Sequence, residues 1–141
     1  MTVIVGVDGS PGSRAAAEYA LEEAALRNAE LVFVTVVMMP EHWASGMLAT
    51  QPSPEVVEGV RAEIVALINE VRAAHPAAAE KVSCSSAVRI GEVGPQMVEA
   101  AKDAEVLVVG HRGRGRLASA VLGSVGLYCV LHATCTVTVV R

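Results

Sequence analysis

Between residues 108 and 124 the chain reads VVGHRGRGRLASAVLGS, in which Gly110, Gly113 and Gly123, with Ser124 beside the last, stand between a buried apolar run and a helix. Glycine lacks the Cβ that blocks close approach, and it adopts positive φ without penalty, so successive N–H groups there can converge on one anion. Gly123 and Ser124 then open the helix, whose unpaired N–H groups and positive dipole end suit phosphate, with the serine hydroxyl as a further donor. Arg112, Arg114 and Arg116 add mobile positive charge, and Arg112 and Arg114 are the two that read as phosphate neighbours. His111 has no acid partner in the sequence and reads as a surface residue. A second turn, GVDGS at residues 6–10, carries an acid, Asp8. Alone, Asp8 would read as a turn residue bonding its own backbone; beside a second ligand-suited turn it reads as a binding residue. The common nucleotide fingerprints are missing, because no lysine stands in a GxxxxGK[ST] loop and no GxGxxG follows the first strand. That disfavours an ordinary kinase, NTPase or NAD enzyme.

These turns are useful only if the chain brings them together. TVIVGV is a short β-branched run that suits a strand buried on both faces, and ELVFVTVV, KVSCSSAVRIG, EVLVVG and CTVTVVR supply four more. The third is less apolar and is expected nearer an edge. Helices are expected from about Gly12 to Asn28, with Ala16, Ala20 and Ala24 on the inner side. A second runs from Pro54 and Glu55 to near His75 and Pro76, with Val57, Val60, Ile64, Leu67, Ile68 and Val71 as one apolar stripe. GEVGPQMVEAAKDA contains a short helix and SVGLYCVLHA the last. Strands alternating with crossovers of this length pair in parallel, with helices on both faces and right-handed connections. The expected fold is a doubly wound, Rossmann-like α/β domain of five parallel strands in the order 3-2-1-4-5. In such sheets ligands bind beyond the carboxyl ends of the strands where the winding reverses. With strands one and four adjacent, the two turns face each other there. MMPEHWASGMLATQPSPE, between the second strand and second helix, is a long connection of the length that often has a function. Its Trp43 and methionines are expected to cover a hydrophobic seam, and Glu41 and His42 are too isolated for a metal site.

Composition narrows the classes. The 141 residues are 52% hydrophobic and 18% charged, the balance of one folded domain. Aromatics are only 3%, so the core must be aliphatic. A net charge of −4 argues against nucleic acid, whose recognition needs clustered cationic surface. No apolar run approaches the roughly 20 residues of a membrane span, and no secretory signal opens the chain, so a cytoplasmic protein is expected. Three cysteines, Cys84, Cys129 and Cys135, form no CxxC and read as buried reduced thiols.

The spacing Gly110-x2-Gly113-x9-Gly123-Ser124 resembles the ATP-binding signature of the universal stress protein family, G-2x-G-9x-G-[S/T]. The likeness extends along nearly the whole chain, from VIVGVDGSPGSRAAAEYALEEAALRNAEL to EVLVVGHRGRGRLASAVLGSV, and implies a single such domain over residues 1–141. It implies a homodimer paired through the last strand, Thr136 to Val140, with ATP between the first and fourth turns. By position, Asp8 would accept from ribose hydroxyls, flanked by Gly6 and Val7, and the Val36 backbone would pair with the adenine edge. Gly110 would contact ribose, and Gly113, Gly123, Ser124 and Val125 would hold the phosphates, with Mg²⁺ bound through phosphate oxygens and by no protein side chain. The chain departs from the family pattern at Gly126, where a hydroxyl is usual, so one phosphate or metal contact is lost. It departs again at Thr136, which replaces a proline, at Thr138, which interrupts the apolar run, and at Leu127 and Leu131, which enlarge an apolar surface.

Three functions remain open. The first is a dimeric nucleotide-dependent sensor or switch in a stress response, acting on an unknown protein partner. The second is a slow ATPase or nucleotide hydrolase, which would need a general base that only Asp8 could supply, so weak hydrolysis at most is expected. The third is a dimeric scaffold that binds no nucleotide and works through the Leu127 and Leu131 surface and the loop from Met38 to Ser53.

Overall fold

The structure is a computed structural model describing residues 1–38, 51–111 and 122–141. Five strands form it: β1 (Thr2–Gly6), β2 (Glu30–Val37), β3 (Cys84–Ile90), β4 (Val106–Gly110) and β5 (Thr136–Val140). All neighbours pair in parallel, in the order β3-β2-β1-β4-β5. This is the expected order, and β3 is an edge strand as its weaker apolarity suggested.

The helices are α1 (Pro11–Arg27), α2 (Pro54–Ala74), α3 (Pro76–Ala79), α4 (Val93–Ala100) and α5 (Ser124–His132). Side chains alternate across each strand, so the sheet builds two cores. On one face Val3, Val5, Leu31, Phe33, Val106 and Val108 meet α1 and α2. On the other Ile4, Val34, Leu107 and Val109 meet Met97 of α4 and Cys129 of α5. Ala16, Ala17, Ala20 and Ala24 of α1 are wholly buried, and their small size lets the helix axis lie close to the strands.

Local chemistry sets the helix ends. The Ser10 hydroxyl accepts from the Ser13 N–H at 3.1 Å, capping α1, and Pro11 supplies a φ suited to the first turn. Asn28 ends α1 in the left-handed conformation at φ 54. Ser53 caps α2 in the same way as Ser10 caps α1. The α2 stripe buries only Ile64, Ile68 and Val71, with Val60 and Leu67 half-buried beside them. Pro76 lacks an N–H to continue α2, and it opens α3, a four-residue helix that the apolar periodicity was too short to reveal. Of the cysteines, only Cys129 is fully buried, and that burial pushes its thiol up to about 11. Cys84 and Cys135 are half-buried, and all three are free.

Candidate functional site

The winding reverses between β1 and β4. The chain leaves β1 toward α1 on one face and leaves β4 toward α5 on the other, so their following turns diverge and open a crevice above the strand ends. Its volume is about 1260 Å³, ample for a small-molecule ligand. Gly6, Val7, Asp8, Val36, Gly110, Gly123, Ser124 and Val125 all line it. Arg112, Gly113, Arg114 and Arg116 lie outside the described residues, as do Glu41, His42 and Trp43 of the long connection.

The β1–α1 turn forms one wall. Asp8 Oδ1 accepts the Ser10 N–H at 2.9 Å, which is the self-bonded turn considered for it from the sequence. The same residue is half-buried and faces the crevice, so the turn role and the lining role coexist. Beneath it Ser13, the one buried polar residue among those described, accepts the Asp8 N–H at 3.2 Å and donates to the Ser10 carbonyl at 3.0 Å. Three hydrogen bonds, two of them through the Ser13 hydroxyl, thus hold the Asp8 turn against the start of α1.

The floor is the overrun of β2. The last registered pair with β1 is Gly6 with Val34, whereas pairing with β3 continues to Val37 with Ile90. Among the described residues no strand therefore lies alongside the β1-facing backbone edge of residues 35–37, where Val36 stands. Val7 is tied in below this edge, donating to the Val34 carbonyl at 2.9 Å and accepting from Thr35 Oγ1 at 2.8 Å.

The opposite wall is the start of α5. Gly123 donates its own N–H to the His111 carbonyl at 2.9 Å, and the first helical bond runs from the Leu127 N–H to the Gly123 carbonyl at 3.0 Å. The phosphate-suited donors are consequently the N–H groups of Ser124, Val125 and Gly126, which have no intrahelical acceptor. No side chain caps this helix among the described residues. Gly126 is buried, and an added Cβ there would stand 2.8 Å from Leu122 Cδ1.

Gly110 differs from expectation. Its φ is not positive, and the space a Cβ would occupy is taken by the backbone of α1, with Gly12 O at 2.9 Å. The residue is glycine because the end of β4 presses on the start of α1, which brings the two turns within reach of one ligand.

Several lining residues were not singled out as site residues from the sequence. Met97 and Val93, four residues apart on α4, bound the apolar end with Val109, and a Cβ on Gly6 would stand 3.0 Å from Met97 Cε. Their i, i+4 spacing was the available signal. Arg14 lines the α1 side but is held by Glu18, four residues on, at 3.3 Å and by Glu70 at 2.6 Å, the latter a pairing that no local pattern announces. His111, read as surface, is half-buried and lines the crevice. Among the described residues no group of three or more His, Cys, Asp or Glu gathers at one point to hold a metal ion.

An open doubly wound domain with an uncapped helix start facing an acid-bearing turn defines a class of small-molecule-binding α/β proteins. The comparisons specify it further: a profile of the universal stress protein family matches residues 1–141, and the chain belongs to that family. Universal stress protein Rv2624c of Mycobacterium tuberculosis is 35% identical over 140 residues, covering 99% of this chain and 48% of its own length. The chain spans about half the length of the curated relatives it matches. Among solved structures, the universal stress protein UspA from Lactobacillus plantarum aligns over 100% of this chain and 97% of its own, with a TM-score of 0.68 and 25% identity. A universal stress protein solved in complex with cAMP aligns over 100% of this chain and 96% of its own, with a TM-score of 0.65 and 28% identity. No described helix is long and apolar enough to cross a membrane.

Proposed function

We propose that this protein binds an adenine nucleotide, ATP in the first instance, in the β1/β4 crevice and acts as a dimeric, nucleotide-dependent switch in a stress response. The observation carrying this reading is the pair of walls: Asp8 on one, and on the other the Ser124–Gly126 N–H groups at an uncapped helix start. The cAMP complex of a 28% identical relative supports an adenine ligand. In this reading Val36 offers backbone groups to the adenine edge, and Asp8, flanked by Gly6 and Val7, receives the ribose hydroxyls. Gly110 holds the walls together beside the ribose, and Gly123, Ser124 and Val125 meet the phosphates with Arg112, Gly113 and Arg114. Mg²⁺ would sit on phosphate oxygens, which suits a wall that, among the described residues, offers N–H donors and no carboxylate cluster; it would offset phosphate charge.

Dimer formation through Thr136–Val140 belongs to the same proposal, supported by the position of β5 at the sheet edge beside exposed Leu127, Val130 and Leu131. So does a single family domain over residues 1–141, which the two cores shared by one sheet support. A cytoplasmic location is supported by three unpaired cysteines.

Calorimetric titration with ATP and Mg²⁺, together with chromatography of nucleotide released from fresh protein, tests the proposal. Wild type should bind and Gly123→Val should not, while thermal denaturation shows the variant folded. A folded wild type that carries and binds no adenine nucleotide overturns it. Bound nucleotide can signal without chemistry, since a hundredfold excess over Kd stabilises the folded state by about 2.7 kcal/mol.

A further inference from the structure

We propose that the Met97 thioether is the floor on which the adenine ring of the bound nucleotide lies, and that Gly6 is glycine to leave that thioether room. The pair then sets how tightly the site holds a base; the inference rests on the nucleotide reading above. Met97 is only 2% exposed, yet it lines the crevice. It belongs to the second core, with Ile4, Val34, Leu107 and Cys129. Its thioether end lies beside Gly6: a Cβ there would stand 3.0 Å from Met97 Cε, 3.4 Å from its Sδ and 3.8 Å from Val109 Cγ1.

The placement suits a flat ring. Gly6 pairs with Val34 at the end of the β1–β2 register, and Val36 stands two residues further along β2, about 7 Å at the rise of a strand. Val36 packs against the second core, on the face of the sheet that holds Met97. The backbone edge proposed for the adenine and the thioether therefore border the same end of the crevice, with Val93 and Val109 beside them. The edge offers hydrogen bonds and the side chains offer an apolar surface. Methionine is unbranched, and its polarizable sulfur makes favourable contacts with aromatic rings, so its tip can settle against a base without any shift of the strands. A methyl group on residue 6 would take the place where that tip now lies. Because Met97 is otherwise packed in the core, the displaced tip would move into the crevice, where the ring must sit.

Methyl NMR of protein labelled at methionine Cε tests the contact. The chain has five methionines, and the Met97 signal is identified by its loss in Met97→Leu, a volume-conserving exchange that a core tolerates. Adding ATP to wild type should move that signal upfield, because a methyl group over the face of an aromatic ring is shielded, whereas inorganic triphosphate should leave it in place. Gly6→Ala adds one methyl against the flexible end of a side chain and should stay folded, with the Kd for ATP in calorimetry raised by about three- to tenfold. Saturable ATP binding with the Met97 signal unmoved, an equal shift with inorganic triphosphate, or an unchanged Kd in Gly6→Ala overturns the inference and leaves nucleotide binding standing. No binding of ATP by folded wild type overturns the nucleotide reading and this inference with it.

Discussion

Two glycines separate what a side-chain hydrogen does for packing from what it does for a ligand. At Gly110 an added methyl would press on the Gly12 carbonyl at 2.9 Å and its carbon at 3.0 Å, and backbone cannot rotate away. Gly110→Ala should therefore lose about 1–3 kcal/mol, read from the urea midpoint. At Gly126 the obstacle is Leu122 Cδ1 at 2.8 Å, the far end of a flexible side chain, and the position is inside a helix. Gly126→Ala should stay within about 1 kcal/mol of wild type, because helix propensity offsets the repacking. Equal losses in the two variants would refute the assignment of Gly110 to interelement contact. The sequence showed that both positions were glycine, but which neighbour filled each missing Cβ depended on residues nearly 100 positions away at Gly12, and on Leu122.

The helices show two local devices with measurable consequences. Ser10→Ala removes the cap of α1 and should cost about 1 kcal/mol. It should also weaken nucleotide binding, because the cap and Ser13 together hold the Asp8 turn. The end of α2 is tied to α1 by His75, whose ring nitrogens meet Glu18 at 2.8 Å and Glu22 at 3.1 Å. The hydrogen bond with Glu18 chiefly raises the His75 pKa, and the bond with His75 chiefly lowers that of Glu18. A raised imidazole stabilises the fold below its unfolded pKa and loses that contribution as pH rises through its folded value. A lowered carboxylate contributes above its unfolded pKa and loses that as pH falls through its folded value. This pair should thus contribute most between the carboxylate and imidazole ranges. Since its members are 27% and 35% exposed, the gain is under about 1 kcal/mol. Urea midpoints measured from pH 6 to pH 8.5 should fall in wild type and flatten in His75→Gln; parallel curves would remove this contact from the stability account.

For the whole molecule, the decisive surface is the β5 edge with the neighbouring α5 face. Leu127, Val130 and Leu131 are 48%, 49% and 67% exposed, more apolar surface on one short helix than solubility favours. Light scattering should give twice the 14.6 kDa chain mass for wild type and the chain mass itself for Leu127→Asp/Leu131→Asp. A monomeric wild type would refute dimer formation through this side. In the proposed dimer, pairing through β5 would bear on the site, since β5 ends at Val140, whose carbonyl accepts the His111 N–H.

The sequence by itself determined the strands, four of the five described helices, the parallel sheet and its order, because β-branched runs, helical periods and crossover lengths are local patterns obeying general rules of chain geometry. It also located both turns of the crevice, since Asp8 and the Gly123–Ser124 helix start are legible from residue type and spacing alone. Tertiary structure alone decided that Gly110 serves the contact with α1, that Gly123 gives its N–H to His111, and that Arg14 is held by Glu70. It likewise brought His111 and Met97 into the lining. Each of these depends on which atoms meet across elements distant in the chain, and neither residue spacing nor composition carries that information.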